Sequence, residues 1–372
     1  MRAFNKTGTI KIWMLMLSLV CSAAAFAQKS MFDRVVVFGT SLSDSGNAFV
    51  LINNPGEFGF DQCALGTPLN VPPYDQMDKL YLSDDLYVEL LVPDGVYARG
   101  GHHVTNGATW IEQYARGQGL SGTVRPALRN TGLKASNYAV GGARARSVTD
   151  QTPPDDVMRC RFNLSDQVAA YLKDFQINAG WPISGETLFV IEVGSNDVRD
   201  ALDILLTTAD VDAAKAIIGQ AIGNIGATIQ TLYDLGARNF LLMNVPNIGR
   251  TPTVGLLDQL FTPPPAPIDL TVAYNANLLT MGFNGALKQL QDQLSIVLWE
   301  SDIRALNLYE LLEKIVSDKQ EFGITNVTDA CITPNVPPFT CKKPDSYLFW
   351  DGIHPTKAVH SVMAQRAVEV LE

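Results

Sequence analysis

A doubly wound α/β fold, with five parallel strands covered on both faces by helices, is what this 372-residue sequence predicts. Three observations carry that expectation. Runs 34–41, 187–194, 238–246 and 295–301 are rich in Val, Ile, Leu and Phe without strict alternation, as strands buried on both faces require, and 135–140 is read as a fifth short strand. Helical patterns, apolar at three- and four-residue intervals, separate them. Small or polar residues follow the strand ends at Ser41, Gly141-Gly142 and Asn196. Ligands in such sheets sit outside those carboxyl ends, where the strand order reverses.

Residues 1–27 stand apart from this pattern. Arg2, Lys6 and Lys11 precede the apolar run 12–20, and Ala25-Phe26-Ala27 offers a small-x-small cleavage site, so a removable signal peptide is expected. The apolar run is too short to span a bilayer, which takes about 20 residues. Val20 is bulkier than the small residue that precedes a lipid-anchored cysteine, so Cys21 is not read as an anchor. Residues 28–372 are then one domain with no transmembrane anchor.

Along that domain, the first strand stops at Gly39-Thr40-Ser41, and residues 48–104 form an insertion scattered with Pro, Gly, Asp and aromatic residues. Helices are expected near 108–117 and 163–176. The clearest begins at Val211 and repeats Ala214, Ile217, Ile218, Ala221, Ile222, Ile225, Ile229 and Leu232 before Gly236, a C-cap residue. A second insertion, 247–268, carries Pro263-Pro264-Pro265. Long loops at these positions form cleft walls. Helices near 271–293, 304–316 and 356–371 complete the chain, the last opening on Pro355-Thr356.

Without Arg2, Lys6 and Lys11, the 28 basic residues fall to 25 against 38 acidic ones, a net charge of −13. Such a surface repels phosphate backbones, which excludes nucleic acid as a partner. Removing Cys21 leaves Cys63, Cys160, Cys331 and Cys341, an even number in an exported chain, so disulfides are expected. The short, proline-bearing loop between Cys331 and Cys341 favours that pair, leaving Cys63 for Cys160. No CxxC or Cys/His spacing supports a metal, and no cofactor is implied.

The chemistry is carried by a hydroxyl and an imidazole. Of the four histidines, His102 and His103 sit in a Gly-rich loop and His360 in the final helix; only His354 has a carboxylate, Asp351, within its own turn. Asp351 can fix the ring tautomer, and the imidazole can take the proton of Ser41. General-base help of this kind contributes about 10²–10⁴ in rate.

Four blocks in order resemble the GDSL, or SGNH, hydrolase family. They are Phe38-Gly39-Thr40-Ser41-Leu42-Ser43-Asp44-Ser45-Gly46-Asn47, Asn137-Tyr138-Ala139-Val140-Gly141-Gly142-Ala143, Gly194-Ser195-Asn196-Asp197, and Phe349-Trp350-Asp351-Gly352-Ile353-His354-Pro355-Thr356. The resemblance spans roughly 33–371. It implies a flavodoxin-like three-layer sandwich with a five-stranded parallel sheet, and a triad of Ser41, Asp351 and His354. It also implies an oxyanion hole from the N–H groups of Ser41 and Gly142 and the side chain of Asn196, with Gly142 chosen over Gly141. The family's usual Asp between the glycine and the nucleophile is Thr40 here, so a charge is missing from the turn. Thr105-Asn106-Gly107-Ala108-Thr109-Trp110 resembles a stretch that lines the pocket in one branch.

The expected activity is that of a secreted or periplasmic serine esterase acting on short-chain acyl esters. The substrate would be a small-molecule, carbohydrate or lipid ester, and a lipid acylhydrolase or lysophospholipase is the alternative. The chain stops eighteen residues after His354, which leaves no room for the barrel of the autotransporter branch. Two other classes compete: a flavin- or phosphate-binding module using the hydroxyl-rich turn after the first strand, and an inactive relative.

Overall fold

The computed structural model describes residues 31–53, 103–129, 135–147, 162–177, 183–262, 267–332 and 340–372. Strands β1 (Arg34–Gly39), β2 (Thr187–Glu192), β3 (Asn239–Met243) and β4 (Asp302–Leu306) pair in that order, all parallel. Residues 135–140 run along the other side of β1. There Val37 N–H bonds Ser136 O, Tyr138 N–H bonds Val37 O, and Val140 N–H bonds Gly39 O, at 2.9, 2.8 and 3.1 Å. The chain therefore leaves β1 to one side and returns at β2 on the other. The order reverses between these two strands.

Each strand sends alternate side chains to opposite faces. Val35, Val37, Leu188, Val190, Leu241 and Met243 pack against α2 (Trp110–Gly117), α8 (Leu308–Ser317) and α9 (Lys357–Leu371). Val36, Phe38, Phe189, Ile191, Phe240 and Leu242 meet α3 (Leu164–Ile177), α4 (Ser195–Thr208), α5 (Val211–Asp234) and α7 (Val272–Val297). With both faces covered, these strands read as continuous apolar runs. Burying each such side chain stabilises the fold by about 1.5–3 kcal/mol.

Three expectations need correction. Residues 295–301 are not a strand: α7 runs on to Val297, and Ile296, Val297 and Trp299 are 77%, 63% and 77% exposed. The strand lies seven residues later, at the sheet edge, where Asp302 and Ala305 face solvent and Ile303 and Leu306 are buried. Residues 135–140 are bridged to β1 at Val37 and Asn137 rather than forming a full strand. The segment 247–268 is largely helical, with a 3-10 turn at Ile248–Arg250 and α6 (Pro252–Phe261) capped by Thr251. Of the insertion 48–104, α1 (Asn47–Asn53) takes the start, and residues 54–102 lie outside the described residues. A two-stranded parallel pair, β5 (Asn326–Ala330) with β6 (Tyr347–Phe349), was not foreseen and leads directly into the Asp351 loop.

Candidate active site

The turn after β1 is built around two acceptors. Thr40 O receives the N–H groups of Ser43 and Asp44 at 3.1 and 3.0 Å, which fixes the peptide preceding Ser41. Asp44 Oδ1 accepts from the N–H groups of Gly46 and Asn47, each at 2.7 Å, capping α1. Its Oδ2 accepts from Ala48 N–H at 3.0 Å and Gly141 N–H at 2.9 Å. Burial pushes the Asp44 carboxyl up from its ordinary value, against the pull of these four bonds. Asn47 adds a clamp, its Nδ2 donating to the carbonyls of Asn137 and Ala139 at 2.8 and 2.9 Å. The nucleophile turn and the glycine loop are thus one hydrogen-bonded unit.

From the other end of the chain, β6 delivers Asp351, which is fully buried. Its Oδ1 accepts the N–H groups of Ile353 and His354 at 2.8 and 2.6 Å. Its Oδ2 lies 2.7 Å from His354 Nδ1, and His354 Nε2 lies 2.8 Å from Ser41 Oγ. With Nδ1–H directed at the carboxylate, Nε2 is the acceptor for the serine proton. The structure brings Ser41, His354 and Asp351 together in one row.

Asn196 is the second residue of α4. Its Nδ2 donates to Ala143 O at 2.8 Å, and its Oδ1 accepts from Arg199 at 3.0 Å. Arg199, one turn on along the helix, thereby fixes which end of the amide faces the glycine loop and leaves a second N–H on Nδ2. Gly141 spends its N–H on Asp44, whereas Gly142 N–H bonds nothing among the described residues. Gly142 has φ 79°, a conformation that favours glycine. Its carbonyl accepts from Arg144 Nη1 at 2.7 Å, and Arg144 forks onto Asp200 at 3.1 and 2.8 Å. Burial opposes ionisation of Asp200, but the guanidinium groups of Arg144 and Arg146 outweigh it and hold the carboxyl well below the usual range.

A cavity of about 150 Å³ opens beside Ser41, Asn196 and His354 and runs between α6, α8 and α9, with Leu257, Leu312 and Met363 among its walls. Thr105–Trp110 does not line it. Trp110 is fully buried and donates Nε1–H to Ser43 Oγ at 2.9 Å, while Thr105 Oγ1 donates to Pro355 O at 2.7 Å. This segment braces the site from behind.

The remaining histidines stand outside the row. His360 is buried, its Nδ1 accepts Trp110 N–H at 3.1 Å, and burial, with His354 and His103 nearby, pushes it down to about 3. His103 pairs with Glu112 at 2.9 Å, and His102 lies outside the described residues. Cys331 and Cys341 form a disulfide; Cys63 and Cys160 lie outside the described residues. Among the described residues, no group of three or more His, Cys, Asp or Glu is placed to hold a metal, and no helix is long and apolar enough to cross a membrane.

Fold and site together define the class: an ester-bond hydrolase built on a doubly wound sheet. The profile of the GDSL-like Lipase/Acylhydrolase family matches residues 35–367, and the chain belongs to that family. One GDSL esterase/lipase of Arabidopsis thaliana is 24% identical over 357 residues, 91% of each chain. A second from the same plant is 22% identical over 375 residues, 96% of each, and a third 28% identical over 200 residues, about half of each.

Several residues that shape the site escaped sequence reasoning. Arg199 carried a usable signal, three positions beyond Asn196 on a helix. Arg144 carried none, because its partners, Gly142 O and Asp200, are set by the tertiary fold.

Proposed function

We propose that this chain is an exported serine carboxylic ester hydrolase, with Ser41 as nucleophile, His354 as base and Asp351 as its orienter. The observation that carries this reading is the 2.8 Å contact between Ser41 Oγ and His354 Nε2, made across 313 residues of sequence. His354 Nε2 takes the hydroxyl proton as Ser41 Oγ attacks the ester carbonyl. The resulting oxyanion is received by the N–H groups of Ser41 and Gly142 and the second N–H of Asn196. The tetrahedral intermediate collapses, the alkoxide departs with the proton from Nε2–H, and Ser41 is left acylated. Water then repeats the sequence, releasing the acid.

The cavity supports an acyl group of modest length. A cavity of this volume, about 150 Å³ and lined by aliphatic side chains, accommodates a group roughly the size of benzene. Acyl chains of about four to six carbons therefore fit best. Export is supported by the basic–apolar–small pattern of residues 1–27 and by the Cys331–Cys341 disulfide, which belongs to oxidising compartments. Residues 28–372 act as one domain. A phosphate-binding role is disfavoured because Asp44 already occupies the N–H groups of Gly46, Asn47, Ala48 and Gly141. An anion there would meet a buried carboxylate.

The test is hydrolysis of p-nitrophenyl esters from two to twelve carbons by wild type and Ser41→Ala. Wild type is expected to peak at four to six carbons, and Ser41→Ala to lose turnover while keeping its melting temperature. A fluorophosphonate should add its mass at Ser41. Turnover retained in Ser41→Ala removes that residue from the mechanism. A maximum at ten or more carbons would favour the lipid acylhydrolase reading.

A further inference from the structure

Beneath the nucleophile turn lies a buried carboxylate that the mechanism above does not use. Glu192 is the last residue of β2 and the register partner of Gly39, the last residue of β1. Its Oε2 accepts Thr40 N–H at 3.0 Å, and its Oε1 accepts the Thr40 hydroxyl at 2.8 Å. The nearby Ser43 hydroxyl favours its ionised form, and Ser43 Oγ accepts Trp110 Nε1–H. The approach is eased because residue 39 has no side chain: a Cβ there would lie 3.0 Å from Glu192 Oε2, tight enough that the carboxylate would have to shift. We propose that Glu192 is a positioning residue for the nucleophile, acting through Thr40, and that its ionised form is the one that holds the turn for catalysis.

The reading rests on Ser41 being the nucleophile. Thr40 is gripped from two sides, Glu192 on its N–H and hydroxyl and the Ser43 and Asp44 N–H groups on its carbonyl. Both groups that hydrogen-bond the Glu192 carboxylate are donors, one to each oxygen, so an ionised carboxylate satisfies them at once. A protonated one carries a donor of its own, which needs an acceptor, and it holds the same two donors more weakly than a charged carboxylate does. The carboxylate also restores, from the neighbouring strand, the charge that Thr40 removes from the turn.

The surroundings are otherwise neutral. Gln167 of α3 bonds the N–H and carbonyl of Gly39, Met243 is the register partner on β3, and Ala139 flanks the glycine. The ionisable groups sharing this neighbourhood are Asp44 in the turn and His354 on Ser41, and neither hydrogen-bonds Glu192. Among the described residues no Lys, Arg or His forms an ion pair with it. Burial pushes its carboxyl up to about 7, so it changes charge within the working range of an imidazole base.

The experiment is the pH profile of kcat/KM on p-nitrophenyl butyrate for wild type, E192Q, T40V and the double variant T40D/E192Q, with Ser41→Ala as control. The wild-type acid limb is expected to be steeper by one proton than it would be without Glu192. E192Q, close in shape and uncharged, should show a limb shallower by that one proton. Its kcat should fall tenfold or more at pH 8 with KM little changed, and its melting temperature there should be unchanged or higher. T40D/E192Q, which returns a carboxylate to the turn, should recover much of that loss. T40V, lacking one donor to the carboxylate, should move the second step of the limb to higher pH. An E192Q enzyme with the wild-type slope and rate overturns the proposal. So does one that loses activity and melting temperature together with the slope unchanged, which is the signature of a purely structural residue. If Ser41→Ala stays active, the nucleophile assignment fails instead.

Discussion

At Asn196, two bonds on one amide decide how it can serve the reaction. Ala143 O takes one Nδ2–H and Arg199 holds Oδ1, so the remaining N–H has a fixed direction. Asn196→Ala is expected to lower kcat by about 10²–10³-fold with KM nearly unchanged, the loss typical of one oxyanion donor; steady-state kinetics on p-nitrophenyl butyrate would show it. Arg199→Ala, which only frees the amide to turn, should cost less than Asn196→Ala in the same assay. The buried acids bring a pH dependence of stability. Burial raises the Glu192 carboxyl from 4.5 to about 7, so between those values the folded chain keeps a proton that the unfolded chain has lost. Stability from this group is therefore complete below pH 4.5 and declines as pH rises through 7, by roughly 3 kcal/mol in total. Urea unfolding at pH 4 and pH 8 should show E192Q gaining on wild type by about that amount over the interval; equal changes in both proteins would refute it. Ser41, Asp351 and His354 could be read from the sequence because their chemistry is local: a hydroxyl at a strand end, and a carboxylate within one turn of an imidazole. Glu192 could not, since its role exists only once β2 lies beside β1.

The elements divide in the same way between what local pattern encodes and what tertiary contact decides. Three of the five apolar runs contain the strands β1, β2 and β3, because a strand buried on both faces leaves little choice of residue, and 135–140 is bridged to β1 beside them. β4 is an edge strand, half solvated: Ile303 and Leu306 are buried on opposite faces while Asp302 and Ala305 are exposed, so it carries no continuous apolar run. The more apolar run before it belongs to the exposed end of α7, where a long helix outlasts its packing. α6 was obscured by the triple proline after it, although Thr251 and Pro252 form an N-cap and first turn. That helix has a consequence for substrate choice, since it forms the cavity with α8 and α9. Leu312 sits on α8 facing the cavity, so Leu312→Trp should fill space now open to the acyl chain. The preferred p-nitrophenyl ester is expected to shorten toward acetate, with hexanoate losing at least tenfold in kcat/KM relative to acetate. An unchanged chain-length profile would show that the acyl group binds elsewhere.

Across the whole molecule, the two ends of the chain close on each other through a small braced unit. Cys331 N–H bonds Phe349 O at 3.1 Å and Ile332 N–H bonds Trp350 O at 2.9 Å, so the strand carrying the disulfide is laced to the residues just before Asp351. Gly352 O accepts Thr253 N–H at 3.0 Å, which ties the same loop to α6. The disulfide itself encloses a short loop, with a sequence separation of 10, and by chain entropy stabilises the fold by roughly 2–3 kcal/mol. A chain of about 345 residues that unfolds as one unit has a large entropy of unfolding, so that free energy would amount to only about 3–4 °C in Tm. Calorimetry of the chain without residues 1–27 is expected to give one transition, because both hydrophobic clusters share a single sheet. Cys331→Ser with Cys341→Ser should lower it by those few degrees. The same double variant should lose activity at a lower temperature than it loses its helical circular dichroism, because the bond braces the loop bearing Asp351 and His354. Coincident loss of both signals would mean that the loop is held by the rest of the fold and that the disulfide contributes stability alone.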